Sequence, residues 1–236
     1  MEALRRKAEQ LKINLNDRQL QQFQTYYEML TEKNKVMNLT AITEYEAVID
    51  KHFVDSIMLG SIHDISGACS VIDVGTGAGF PGIPLKIAFP GLQVTLLDSL
   101  NKRVNFLNEV MDALALTGIE AIHSRAEDAG RNPRYREQYD LCVSRAVANL
   151  STLSEYCLPF VKRGGYFISY KSSEIQEELE QAEKAVTVLG GSMETPISLE
   201  LPDTGVIRQF IRIRKKKNTP KEYPRKAGTA SRSPLV

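Results

Sequence analysis

What the chain has little of excludes several chemistries. Its three cysteines, Cys69, Cys142 and Cys157, lie far apart with no CxxC spacing. Neither a disulfide framework nor a zinc site is expected, and a reducing cytoplasm is the expected compartment. The three histidines, His52, His63 and His123, are scattered, and no His–acid pair or carboxylate cluster stands out as an acid–base device. No apolar run approaches the roughly 20 residues needed to span a bilayer, and the opening MEALRRKAEQLKINLN is too polar for a secretory signal. Neither a membrane anchor nor a metal is expected. Net charge is also small, at +1, but it hides an asymmetry. From Arg208 onward ten basic residues face the single acid Glu222, so the rest of the chain is net acidic. A one-signed block at a terminus suits a polyanion, and nucleic acid fits better than a membrane surface because no amphipathic apolar helix accompanies the charge.

The 236 residues, 42% hydrophobic and 25% charged, suit one α/β domain with an accessory piece. Residues 1–66 read as a helical cap. Leu11, Leu15, Leu20, Phe23, Tyr27 and Leu30 recur at spacings near three and four, with Asn16 placed to cap. A polar break at 33–38 precedes a second helix that Thr43 can cap. From residue 67 to 214 short apolar runs alternate with amphipathic segments, the pattern of a parallel sheet built from strand–helix units. Strands are expected at 70–74, 93–97, 119–123, 139–143 and 164–170, with helices near 81–88, 101–116, 148–161 and 173–189, the last stopped by Gly190–Gly191. Two alternating strands, 197–202 and 206–214, are joined only by Asp203–Thr204–Gly205, which argues a hairpin. Five parallel strands closed by an antiparallel pair describe a Rossmann-like α/β sheet of the methyltransferase kind. Residues 215–236 read as a basic tail, extended or disordered alone.

The segment VIDVGTGAGFPG (71–82) carries the chemistry. Gly75, Gly77 and Gly79 follow an apolar strand and precede a helix, where glycine permits a tight turn and close approach of a ligand. Gly77, Gly79 and Gly82 also fit G-x-G-x-x-G, so a nicotinamide dinucleotide is a competing ligand. In that register the first glycine comes late. Asp73, inside the strand, suits the cationic ammonium and sulfonium of S-adenosylmethionine better than a diphosphate, though it could equally cap loop amides. Asp98 ends the second strand about 20 residues later, where an acid accepts ribose hydroxyls in either kind of cofactor site; it could also cap the following helix.

NKVMNLTAIT (34–43), KHFVDSI (51–57), VIDVGTGAGFPGIPLKI (71–87), LLDSLNKRVNFL (96–107), SRAED (124–128), VSRAV (143–147) and PKEYPRKAG (220–228) stand in this order along the chain. On these segments the chain resembles the bacterial small-subunit rRNA guanine-N7 methyltransferases, also called glucose-inhibited division protein B. The resemblance implies a class I S-adenosylmethionine-dependent methyltransferase acting on 16S rRNA or the small ribosomal subunit, in its decoding region. A monomer is expected. It implies cofactor contacts from Gly75 and Phe80, with Ala126 and Glu127 beside the adenine. Arg145, at the end of the fourth strand, then faces the place where the methyl group meets its acceptor.

Guanine N7 carries an unprotonated lone pair, so positioning is required and a general base is not. Arg145 is the residue expected to orient the base, its planar fork suiting guanine O6 or a phosphate; it could instead brace the pocket by pairing with Asp73 or Glu127. Asn38, Lys51 and His52 are expected in a wall over the cofactor, and Lys102 and Arg103 in contact with RNA. The tail is expected to grip rRNA phosphates, so that its removal weakens RNA binding and leaves cofactor binding intact.

Overall fold

The computed structural model describes residues 1–65, 67, 69–145, 148–172 and 174–236. Asn16 does start the long cap helix. Its side chain accepts the Gln19 amide at 3.0 Å while the Gln19 side chain accepts the Asn16 amide at 2.8 Å, a reciprocal capping box. After α1 (Glu2–Gln10), α2 (Asp17–Met37) runs straight through the anticipated polar break. Polar residues are adequate helix formers on an exposed face, and the stop comes only at Asn38, in the left-handed region at φ 48°. Thr43 does not cap the next helix, α3 (Tyr45–Val48), whose cap position is Glu44 and lacks a side-chain bond. One wide π-helical turn, Ile49–Val54, follows, then α4 (Asp55–Ile57) and α5 (Leu59–Ile62). Ser66, at the expected end of the cap, lies outside the described residues.

The sheet order is β3-β2-β1-β4-β5-β8-β6, with β7 also paired to β8. Strands β1 (Ser70–Val74), β2 (Gln93–Asp98), β3 (Ile119–His123), β4 (Tyr139–Ser144) and β5 (Val161–Lys171) are parallel. β8 (Ile207–Lys215) closes the sheet antiparallel to β5 and forms the expected hairpin with β7 (Ile197–Glu200). A short edge strand, β6 (Gly191–Met193), also pairs with β8. It begins at a glycine that reads in sequence as a helix stop.

Helices α6 (Gly82–Ala88) and α7 (Asn101–Ala113) join the cap on one face of the sheet, around Phe23, Phe53, Ile83 and Leu96. On the other face α8 (Ala126–Ala129), α9 (Leu150–Cys157) and α10 (Gln176–Val188) enclose Ile72, Cys142, Phe160 and Phe167. Burial on both faces explains why the central strands read as continuous apolar runs. Cys142 and Cys157 are core residues of this second layer.

The terminal segment differs from the flexible tail that its charge suggests. Lys215 is buried at the end of β8, its ammonium donating to Leu158 O and Thr219 Oγ1 at 2.5 Å each. The Arg136 guanidinium donates to the carbonyls of Thr219, Pro220 and Tyr223. Arg225 pairs with buried Glu155 at 2.6 Å, and the chain ends beyond a last turn, α11 (Thr229–Arg232), whose Ala230 is buried. A charge count treats every Lys and Arg as solvated. Here Arg208, Arg212, Lys215 and Arg225 are instead committed to acids of the folded chain.

Candidate functional site

A cavity of about 600 Å³ opens at the carboxyl ends of β1, β2 and β4. The strand order reverses between β1 and β4, and such a switch point leaves a crevice that loops can line. Gly75, Gly77, Phe80, Asp98, Ala126, Glu127 and Arg145 all line it, as do His52 and Arg103. Asp73 does not.

The glycine loop is folded on its own amides. Gly75 and Thr76 N–H donate to Leu97 O at 2.9 and 3.1 Å, and Gly79 and Phe80 N–H donate to Thr76 O at 2.9 and 3.0 Å. The Gly77 amide donates to Asp98 Oδ2 at 2.9 Å, and the Gly82 amide, at the start of α6, donates to Asp73 Oδ2 at 2.8 Å. Gly77 has φ +62°, and a Cβ built on it meets no described residue beyond its chain neighbours within 4 Å. A dinucleotide site needs loop and helix amides aimed at a diphosphate. Here the amides of Gly75, Thr76, Gly77, Gly79, Phe80 and Gly82 are spent within the protein.

Asp73 therefore serves the loop from behind. Fully buried, it accepts Thr76 Oγ1–H at 2.6 Å as well as the Gly82 amide, while its Oδ1 has no partner among the described residues. The capping role is the one the geometry shows: the side chain points under the turn, toward the helix whose first amide it accepts. Burial outweighs these bonds and pushes its carboxyl up to about 7. Asp98 holds both neighbouring loops, its Oδ1 accepting the Leu100 amide at 2.9 Å, and it still faces the cavity.

Arg145 is set by the cap. Nη1 donates to Asp55 Oδ2 at 2.7 Å and reaches Lys51 O, His52 O and Ser56 Oγ at 3.3–3.4 Å. The partner is thus Asp55 and not Asp73 or Glu127. Asp55 is 1% exposed and also accepts Arg208 Nε at 2.5 Å, so one buried carboxylate bridges β8 to the end of β4. The π-helical turn makes this possible by presenting His52 and the two carbonyls inward, a distortion recurrent at functional sites. Arg145 Nη2 lies 3.0 Å from His52 Nδ1. A guanidinium can only donate, so Nδ1 accepts and the His52 proton is on Nε2, donated to Thr40 Oγ1 at 2.8 Å. The contact of Nδ1 with Lys51 O, 3.1 Å, is then no hydrogen bond. Burial and the adjacent Arg145 push His52 down to about 3. Its ring stacks on Phe80 at 4.4 Å, and Arg145 lies 5.4 Å over the other component of that pair.

Of the wall expected from the cap, His52 is present, joined by Leu39 and Thr40. Asn38 instead ends α2, and Lys51 contributes its carbonyl. Asp55, within KHFVDSI, carries no local sequence signal of this role. Gly228 and Ser231, from the terminal segment, also stand in the wall.

Comparison with known proteins decides the family. The family described as GidB, rRNA small subunit methyltransferase G, matches residues 19–204. This chain belongs to that family. Ribosomal RNA small subunit methyltransferase G of Lachnoclostridium phytofermentans is 55% identical over 226 residues, covering 96% of this chain and 93% of that protein. The protein of the same name from Staphylococcus carnosus is 54% identical over 238 residues, covering 100% and 99%. Solved structures share the fold at much lower identity. M. jannaschii TYW2 in complex with AdoMet superposes with a TM-score of 0.55 at 15% identity, over 74% of this chain and 79% of that one. The 16S rRNA (adenine(1408)-N(1))-methyltransferase of Catenulisporales acidiphilia, with cosubstrate SAM, gives 0.52 at 14%, over 66% and 88%. The sheet of this methyltransferase G family member is the class I methyltransferase sheet, with a helical N-terminal segment packed against it.

One pH dependence follows from the loop of this GidB-family chain. A carboxyl raised from its ordinary range to about 7 is charged in the folded state only at a cost. That cost is present above pH 7 and is relieved as pH falls toward 4. Asp73→Asn is therefore expected to improve in stability, relative to the parent, between pH 5 and pH 8. Urea unfolding at the two pH values checks this; an equal difference at both would show a carboxyl ionised throughout.

Proposed function

We propose that this chain transfers the methyl group of S-adenosylmethionine to N7 of a guanine in the decoding region of 16S rRNA. The observation that carries the cofactor reading is the glycine loop, whose amides are bonded internally while Asp98 and Glu127 face the cavity. The residues fit the group: Asp98 offers a carboxylate for ribose hydroxyls, Gly75 and Gly77 allow close approach of the backbone, and Phe80 offers an apolar face. When bound, S-adenosylmethionine supplies a methyl group activated by its sulfonium. The rRNA substrate is supported by membership of the family and by the near full-length relatives named for the small subunit.

Among the described cavity residues none is suited to be a strong general base. His52 is pushed down to about 3 and its Nδ1 is engaged by Arg145. An acceptor that needs no deprotonation suits such a cavity, and guanine N7 is one. Methylation leaves the guanine positively charged, so a lone cation beside it would oppose the reaction. Asp55, shared with Arg208, offsets part of the charge of Arg145, so the fork can donate to O6 as less than a full lone cation. No described residue accepts from Arg145 Nε. Arg145→Ala is expected to lower single-turnover methyl transfer roughly a hundredfold, the scale of losing one preorganised donor; near-normal rates would remove it from the mechanism.

The RNA contact assigned to Lys102 and Arg103, and to the exposed Lys216, Lys217, Lys221 and Lys226, belongs to the same proposal. Incubating the protein with labelled S-adenosylmethionine and unmodified small subunits, then mapping the product, tests the whole reading. A single labelled guanine at N7 is expected. Label at another base or ring atom overturns the specificity, and no label overturns the activity.

A further inference from the structure

The terminal segment is anchored at successive points, and each anchor is at or beside the cavity. The Arg225 backbone amide and guanidinium both bond Glu155, at 2.6–3.0 Å. Glu155 is 1% exposed and belongs to α9, and a bidentate pair at that depth is a rigid latch. Three residues on, Gly228 adopts φ +77°, a conformation that favours glycine. Its amide donates to Glu127 Oε1 at 2.7 Å. Thr152 Oγ1 then donates to Ala230 O at 3.1 Å, tying the last turn back to α9. Gly228, between the latch and this tie, and Ser231, just beyond it, face the cavity beside Glu127 and Tyr156.

We propose that residues 225–231 form a strap that completes the cofactor-binding wall, with Arg225–Glu155 as its latch and the Gly228 amide fixing Glu127 toward the ligand. This rests on the S-adenosylmethionine reading above and adds a wall that neither the glycine loop nor the strand ends provide. One oxygen of Glu127 is held by the strap, which sets the direction of the other. The strap's role is thus in methyl-donor affinity, separate from any RNA contact made by its exposed lysines.

Hydrogen exchange of the intact protein, with and without saturating S-adenosylhomocysteine, tests the wall without altering the fold. Amides in 225–231 are expected to exchange at least roughly tenfold more slowly with ligand, together with those in 75–80. Slowing confined to 75–80 overturns the strap and leaves the cofactor reading standing. Slowing in neither segment overturns both. A second pair of variants separates wall from latch. Ser231→Trp, on an exposed position, is expected to change S-adenosylhomocysteine affinity by roughly tenfold or more with an unaltered melting temperature. Arg225→Met with Glu155→Leu removes the latch without stranding a buried charge and is expected to weaken affinity to a similar degree. Unchanged affinity in both overturns the proposal.

Discussion

Asp55→Asn is expected to cost the fold about 3–5 kcal/mol, the scale of removing one partner from a buried ionic cluster. The carboxylate is almost wholly enclosed and bonds Arg145 and Arg208 through separate oxygens. Both guanidinium groups are themselves largely covered, at 17% and 20% exposure, so solvent cannot replace the lost charge. Chemical unfolding measures the loss. Transfer should fall as well, because Arg145 loses the contact that fixes its fork and becomes a cation facing a guanine that turns cationic. Arg208→Met separates the two effects: it removes the outer partner and keeps Asp55 on Arg145. It is expected to be milder in stability and to retain most transfer activity. A variant at Asp55 with parental stability would show the cluster to be solvated.

Gly77→Val is expected to abolish detectable S-adenosylmethionine binding, a loss of roughly a hundredfold or more, at a cost in stability of about 1–2 kcal/mol for the left-handed conformation. Apart from its chain neighbours, no described residue lies within 4 Å of a Cβ at Gly77, and the residue lines the cavity, so the new side chain occupies ligand space. Gly82→Val supplies the contrast. Its Cβ would be driven against buried Leu96 Cδ2 and within 3.0 Å of Asp73 Oδ2. That substitution should destabilise through overpacking, by about 1–3 kcal/mol, with binding lost as a consequence. Titration calorimetry beside thermal melting distinguishes them. Cofactor affinity retained by Gly77→Val would mean that the loop does not border the ligand.

The parts of the site legible in sequence are those that local geometry repeats. A strand, an alternating glycine loop and a helix form one contiguous unit, so Gly75 and Gly77 could be placed at the cavity, whereas Phe80, Ala126 and Glu127 were placed by the family resemblance. Asp98 could be placed because the next strand pairs in register beside β1. Asp73 belonged to the same unit, but chain order does not say whether a strand side chain faces the ligand or the underside of the turn. The Asp55 cluster was hidden for another reason. Its partners lie 90 and 153 residues away, and only the packed cap brings them together. Charge composition misled most at the end of the chain, where Lys215 and Arg225 are structural donors. The short strand β6 escaped because two glycines after a helix read equally well as its termination.

A cavity walled by His52 near one end of the chain and Ser231 near the other has a consequence for biosynthesis. Contacts of such sequence separation form late, after their closure entropy has been met. A nascent chain not yet extended through residues 225–231 can assemble the parallel sheet and the glycine loop, yet has neither latch nor strap. On the role proposed for the strap, tight hold on the methyl donor is acquired only once residues 225–231 have been made, so fragments ending before them would compete poorly for it.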